Sequence, residues 1–461
     1  MIISRSSLVA HRACSLLRLA ALLVAVSGIA SNAAAQLTAE NLIGSAVSLS
    51  NQSYPEIDNA IQRFRNGDVK GTRKYLEIAK EKYPKLPPTD VTLAKMQMAA
   101  RHNQAARILL ERVVTETPDD PEAYLLLADQ AFAAGRTTEA QALFELAAPL
   151  VEKYDQNAKR KRNFTIRLLA GRAAVYERRR QWEQAYDLLK QWVEKDPDNA
   201  AAHQRLGIAL FRLQKVSEAI EEFGKARQIK PDVAHPYVTL GLLFSQQGDM
   251  DKAQQAFEKA YAENKADAAT AQTYAEWLIQ QGKLDQAQTV ASALLQQEKG
   301  KDSINALLLD GIVAYMKGQT DRAEQSLSQV LRLDPSNAKA TNLLALLLIQ
   351  SDNAADRERA LSHAEVNADR FPNNAQANIT KAWVLYRLGR AKEAQESLQK
   401  GARARQLTAD SAFLIAKILM EQNRKEEAKR ALEQIVNQKT GIFIFRQEAQ
   451  QLLDQLNKEG G

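Results

Sequence analysis

One cysteine in 461 residues leaves this chain without a disulfide framework, and that one, Cys14, stands close to the N-terminus. Five histidines, His11, His102, His203, His235 and His363, are too scattered to pair as ligands. No HExxH, paired Cys/His spacing, Walker A sequence or GxGxxG occurs, so the common zinc, nucleotide and dinucleotide chemistries have no footing. The expectation is no catalytic residue, no metal, no cofactor and no enzyme. Aromatics are sparse at 6 %, and the good helix formers Ala, Leu, Gln, Glu, Lys and Arg dominate.

Long apolar runs are also missing. The one from Leu19 to Ala30 is too short to span a bilayer comfortably. With Arg5, Arg12 and Arg18 before it and Ala33-Ala34-Ala35 ahead of Gln36, it reads as an export signal cut near Ala35-Gln36, an uncleaved anchor being the alternative. Cys14 lies on the wrong side of the run for lipidation at the cleavage point. Losing residues 1–35 removes three Arg and no acidic residue, taking the formal net charge from +7 to +4 and leaving no cysteine. Of the sequons at Asn51, Asn163 and Asn378, the last falls on an inward helix position where no glycan fits. The expected compartment is the periplasm, with an outer-membrane-associated or extracellular fate as the alternative. No transmembrane span is expected in the mature chain.

What is present is repetition. Ala60, Ala94, Ala128, Ala173, Gly207, Gly241, Ala275, Gly311, Ala345, Ala382 and Ala416 recur in a 34-residue frame, and a second small-residue series from Thr72 and Ala106 to Ala428 follows twelve residues behind. A period of this length means a solenoid, in which each unit contacts only its neighbours. In the unit from Ala234, Tyr237, Leu240, Gly241 and Phe244 form one helical stripe. Gly248 marks the turn, and Ala253, Phe257 and Ala260 form the inward face of a second helix. Small residues at positions 8 and 20 let two backbones approach, an aromatic at 24 fills the space above them, and proline at 32 stops the second helix.

Leu206-Gly207, Ala219, Phe223, Ala226 and Pro231 in one unit, and Tyr124, Leu127-Ala128, Gly135, Ala140, Phe144 and Ala147 in another, resemble the tetratricopeptide repeat family over residues 53–442. Pro84, Pro118, Pro197, Pro231, Pro335 and Pro372 all take position 32. The resemblance implies an all-α, right-handed superhelical solenoid of about eleven helix-turn-helix repeats with a C-terminal capping helix. It also implies a protein or peptide partner in the groove lined by the first helices, at positions 2, 5, 9 and 12. The family's carboxylate clamp needs Lys at 5 and Asn at 9, then Lys and Arg at 2 and 6 two units on; no three successive units comply.

Breaks in the frame divide the chain into a signal (1–35), a leader (36–52), repeats 1–3 (53–151), a basic insertion (152–165), repeats 4–11 (166–442) and a capping helix with tail (443–461). Eleven extra residues precede Ile166, two precede Ile304, and three sit around Ser351 to Asp356. Phe443 to Asn457 is expected to be the closing helix, with Arg446, Gln447, Glu448 and Gln450 on its wet face.

Two surfaces are candidates. Lys159, Arg160, Lys161 and Arg162 could meet an acidic polymer, anionic lipid or nucleic acid; nearby acids, missing aromatics and the export signal weigh against this and favour a solvated extension of two helices, and no nucleic acid is expected. The groove is polar through Asp129, Arg167, Glu177 and Gln204, with Arg205 and Arg212 flanking, then turns apolar: Val238, Leu242, Leu308, Ile312, Tyr315, Ile379, Trp383, Tyr386 and Phe413. That later stretch suits an amphipathic helix or extended segment with Trp383 and Tyr386 as anchors, unless packing between first helices buries it. His203 reads as a core histidine, and Asp119-Asp120 and Glu221-Glu222 as caps or solvated acids. The expected function is an exported scaffold or adaptor holding another protein; the alternative is an envelope polysaccharide, lipid or secretion component with possible envelope association.

Overall fold

The computed structural model describes residues 38–43, 54–297, 302–403, 407–438 and 441–459, so the export signal and Asn51 lie outside the described residues. Within them every regular element is an α-helix, and the helices pair antiparallel in the frame of the sequence. The chain forms two compact units, up to Pro236 and from Tyr237 onward.

The turn inside each pair has one backbone requirement. Position 15 takes positive φ at Gly67, Gly135, Gly248, Gly282, Gly318 and Gly389, and at the non-glycine residues Arg101, Arg180, Gln214 and Asn423. The ninth unit departs because its three extra residues replace this turn: Asn353 caps the second helix through Ala355 N–H, and Ser351 bonds Asp356. Second helices stop where expected, since the residue before a proline is pushed out of helical geometry. Tyr83, Thr117, Asp196, Lys230, Asp334 and Phe371, each preceding a proline, have φ between −125° and −144°.

Close approach of the paired helices rests on positions 8 and 24. A Cβ on Gly207 would lie 2.5 Å from Cε1 of Phe223, and one on Gly241 2.7 Å from Cε2 of Phe257. Both rings are fully buried.

In the first unit the eleven extra residues make no separate insertion. They lengthen Thr137–Lys153 to 17 residues and Ala158–Arg178 to 21, so the basic run opens a first helix. Ahead of the repeats, Ala39–Ile43 forms a short helix whose Leu42 and Ile43 are buried on the first two repeats.

In the second unit the closing helix is Arg446–Glu459, three residues later than expected. Ala449, Leu453 and Leu456 bury its inner face on the last repeat, while Gln447, Glu448 and Gln450 are exposed. Arg446 is not on the wet face. It donates to the Val436 and Gln438 carbonyls at the end of the last repeat helix, where a cation suits the dipole.

Candidate partner-binding surfaces

Within each unit first helices lie side by side, as Pro121–Ala133 does with Ala158–Arg178 and Ala375–Arg387 with Ala409–Glu421, so positions 2, 5, 9 and 12 form a row of side chains in each unit. In the first unit that row is charged and consumes its own charges. Arg205 grips Glu177 with Nε and Nη2 at 3.1 and 2.9 Å and also donates to the Ala170 carbonyl. Burial outweighs the guanidinium and still pushes the Glu177 carboxyl up. Arg167 Nε donates to Asp129 at 2.6 Å.

The basic run is largely absorbed in the same way. Arg160, expected as an exposed cation, is 1 % exposed: it donates to Glu122 at 2.6 Å and to the Tyr154 hydroxyl at 2.8 Å, with its guanidinium over the Tyr154 and Phe164 rings. Burial opposes a charge on Glu122, but Lys95 and Arg160 outweigh it and hold the carboxyl low. Lys161 donates to the Glu152 carbonyl and Arg162 to Asp196; Lys159 and Arg162 remain exposed. The cause is Glu122 at position 2 of the preceding first helix, a buried carboxylate that draws Arg160 in. Asp120 caps that helix through Glu122 N–H. Glu222, read as a solvated acid, is buried instead against His203, whose other ring nitrogen meets the Pro197 carbonyl.

In the second unit the apolar row exists, but packing between first helices buries much of it. Val238, Ile312, Ile379, Trp383 and Phe413 are buried; Leu242, Leu308, Tyr315 and Tyr386 are partly exposed. Trp383 is therefore a covered ring rather than a free anchor, with Lys417 Nζ 5.3 Å and Arg387 5.7 Å from its centroid. Asn378 is buried too, donating to the Pro372 and Asn374 carbonyls.

The row already holds a piece of polypeptide. Between the last repeat and the closing helix, Gly441 turns the chain at φ +82° and residues 442–445 run across it. Phe445 stacks on Phe413 at 4.9 Å between centroids and meets Tyr315 edge-on at 6.0 Å, joining position 5 of one repeat to position 12 of another three repeats earlier. Asp410, at position 2, accepts the main-chain N–H of Ile444 at 2.9 Å and of Phe445 at 3.4 Å. Ile442 packs against the core cluster of residues 238–344, Phe443 and Phe445 belong to the following one, and Ile444 touches both. Burial pushes Asp410 up to about 6, against the pull of the two amides, Lys339 and Arg446. Burial, then the charges of Glu448 and Asp410, likewise push the Tyr315 hydroxyl up, opposed by the hydrogen bond from Gln350. Sequence reading missed Asp410 and this segment; the visible signal was the period-two run Ile442-Phe443-Ile444-Phe445 behind a glycine.

Among the described residues no group of three His, Cys, Asp or Glu could hold a metal, and no helix is long and apolar enough to cross a membrane.

Two tetratricopeptide repeat models match, one over residues 178–240 and 244–308, the other over 91–158, 308–375 and 379–439. The chain belongs to the tetratricopeptide repeat family. It is similar to tetratricopeptide repeat protein 37 of Xenopus laevis, 23 % identical over 158 residues, 33 % of this chain and 10 % of that protein. It is also similar to DnaJ protein P58IPK homolog B of Oryza sativa subsp. japonica, 23 % identical over 254 residues, 49 % of this chain and 53 % of that one. The chain thus spans a tenth of the first relative and about half of the second. Similar solved structures include yeast Tom70 (16 % identity, TM-score 0.37, 88 % of this chain and 96 % of that). Another is a tetratricopeptide repeat protein from Parabacteroides merdae (16 %, TM-score 0.39, 64 % and 99 %).

Proposed function

We propose that this protein is an exported, non-enzymatic scaffold that holds another protein on the inner row of its second unit. The observation that carries the reading is the occupied row itself: a carboxylate takes two main-chain amides while aromatic and aliphatic rows take side chains, the two demands of a polypeptide whose amides are not spent in a helix. The first unit supports a division of labour, since its row is closed by ion pairs that tie neighbouring repeats together. Export rests on the arginine-flanked apolar run and the Ala33–Ala35 site.

Photo-crosslinking in the native cell tests this. A photoreactive residue at Leu242, Leu308 or Tyr386 is expected to capture one saturable protein partner, and one at the outward Ile108 or Leu146 is not. Equal capture from both faces, or none from the inner one, overturns the scaffold. Export is checked by the mass of the protein from envelope fractions, expected to begin at Gln36; an intact N-terminus in the cytosol overturns it.

A further inference from the structure

Resting on that reading, we propose that Gly441–Phe445 is a self-ligand: it fills the inner row in cis, and the partner is a non-helical polypeptide segment with alternating aliphatic and aromatic side chains that displaces it. The segment belongs to no repeat, lying between the last repeat helix, Lys425–Val436, and the closing helix. Its side chains divide between the two surfaces it meets: Ile442 lies on the earlier core cluster, Phe443 and Phe445 on the later one, and Ile444 on both.

Asp410 sets the chemical class. It is 8 % exposed, and the hydrogen bonds to its carboxylate come from the Ile444 and Phe445 amides. Whatever replaces the segment must offer donors there, or the buried carboxylate is left without them. A polypeptide backbone brings such donors at every residue, whereas an acyl chain brings none. Charge selects in the same direction: Asp410 is itself a buried carboxylate whose charge Lys339 and Arg446 only partly offset, so a neutral, apolar segment fits and an acidic one is disfavoured. Arg446 ties the end of the segment to the Val436 and Gln438 carbonyls, two bonds that displacement must break or stretch.

A tethered segment acts at an effective concentration of the order of millimolar, so the full chain resists a free copy of its own motif until the tether is weakened. The test uses the full chain and a fluorescein-labelled peptide of sequence GIFIFRQ, read by polarisation. Phe443→Ser/Phe445→Ser in the protein is expected to tighten peptide binding at least about tenfold over the native chain. Asp410→Leu, which removes the acceptor, added to that variant is expected to weaken it again, and a peptide with both phenylalanines changed to serine to bind neither chain. Unchanged affinity in the double variant overturns the proposal.

Should the double variant not fold, hydrogen exchange on the native chain decides. The Ile444 and Phe445 amides are expected to exchange at least about tenfold faster than those of Phe413 and Leu414, and faster still with saturating peptide. Exchange as slow as in that helix and indifferent to peptide makes the segment permanent core and overturns the proposal. Capture from Leu308 without any gain in the variant sinks this inference alone; peptide binding without capture in the cell sinks the scaffold reading alone.

Discussion

Gly207 and Phe223 occupy the same space in two helices: the glycine's missing Cβ would stand 2.5 Å from Cε1 of the ring. The aromatic at position 24 can lie on the paired helix only because position 8 is small. In an exposed helix Gly→Ala stabilises by about 1 kcal/mol. Here overpacking reverses the sign, and Gly207→Ala is expected to cost about 1–3 kcal/mol in urea denaturation. Adding Phe223→Leu should recover part of that loss.

At position 15 the expectation is the opposite. Arg101 at φ +63° and Gln214 at φ +65° hold the left-handed geometry that glycine supplies in six other repeats, and both are exposed. Arg101→Gly and Gln214→Gly should each raise stability by about 0.5–1 kcal/mol, less glycine's entropic cost. A lowered melting temperature in both would show that these turns are not strained.

Arg205 and Glu177 form a buried pair in which the partners are unequal to the burial. Arg205→Ala strands a buried carboxylate and is expected to cost about 3–5 kcal/mol. Arg205→Met with Glu177→Gln should recover most of it. A double variant as unstable as the single would mean that the arginine's packing over Trp192, at 5.3 Å, matters more than its charge.

Asp410 makes the second unit sensitive to pH. Its folded pKa, about 6, lies above the ordinary carboxylate value, so the folded state binds the proton more tightly. Its charge penalises the fold fully above pH 6, and the penalty fades as pH falls from 6 toward 4. Lys339 and Arg446 reduce it without cancelling it, while the nearby Tyr315 stays neutral throughout. Asp410→Asn keeps an acceptor and does not titrate, so it should be the more stable chain at pH 7, by at most about 3 kcal/mol. Melting both chains at pH 7 and pH 5 should show the gap closing; a constant gap would contradict the assignment.

Much of the architecture was legible because a 34-residue period repeats one local problem. Positions 8, 20 and 24 must fit each other, position 15 must turn and position 32 must stop, and residue type marks them in enough units, glycine at 15 in six and proline at 32 in six, to fix the register of the rest. The frame failed at Phe443, where apolar periodicity suggests helix although Ile442 and Phe443 are irregular, Ile444 and Phe445 form a turn, and the helix starts only at Arg446. It failed again at Arg160, which in sequence is one of four consecutive cations and in space is the only one of them facing Glu122, 38 residues earlier.

Sequence alone determined the repeat, its helices and turns, and which positions are small, because those demands are met within one unit of contiguous chain. Only the tertiary structure decided which charges are spent and which apolar residues are covered. Asp410 joined to Ile444, Phe445 to Tyr315 and Arg205 to Glu177 each join residues 28 or more apart, and at such separations side-chain identity does not say which neighbour burial will supply.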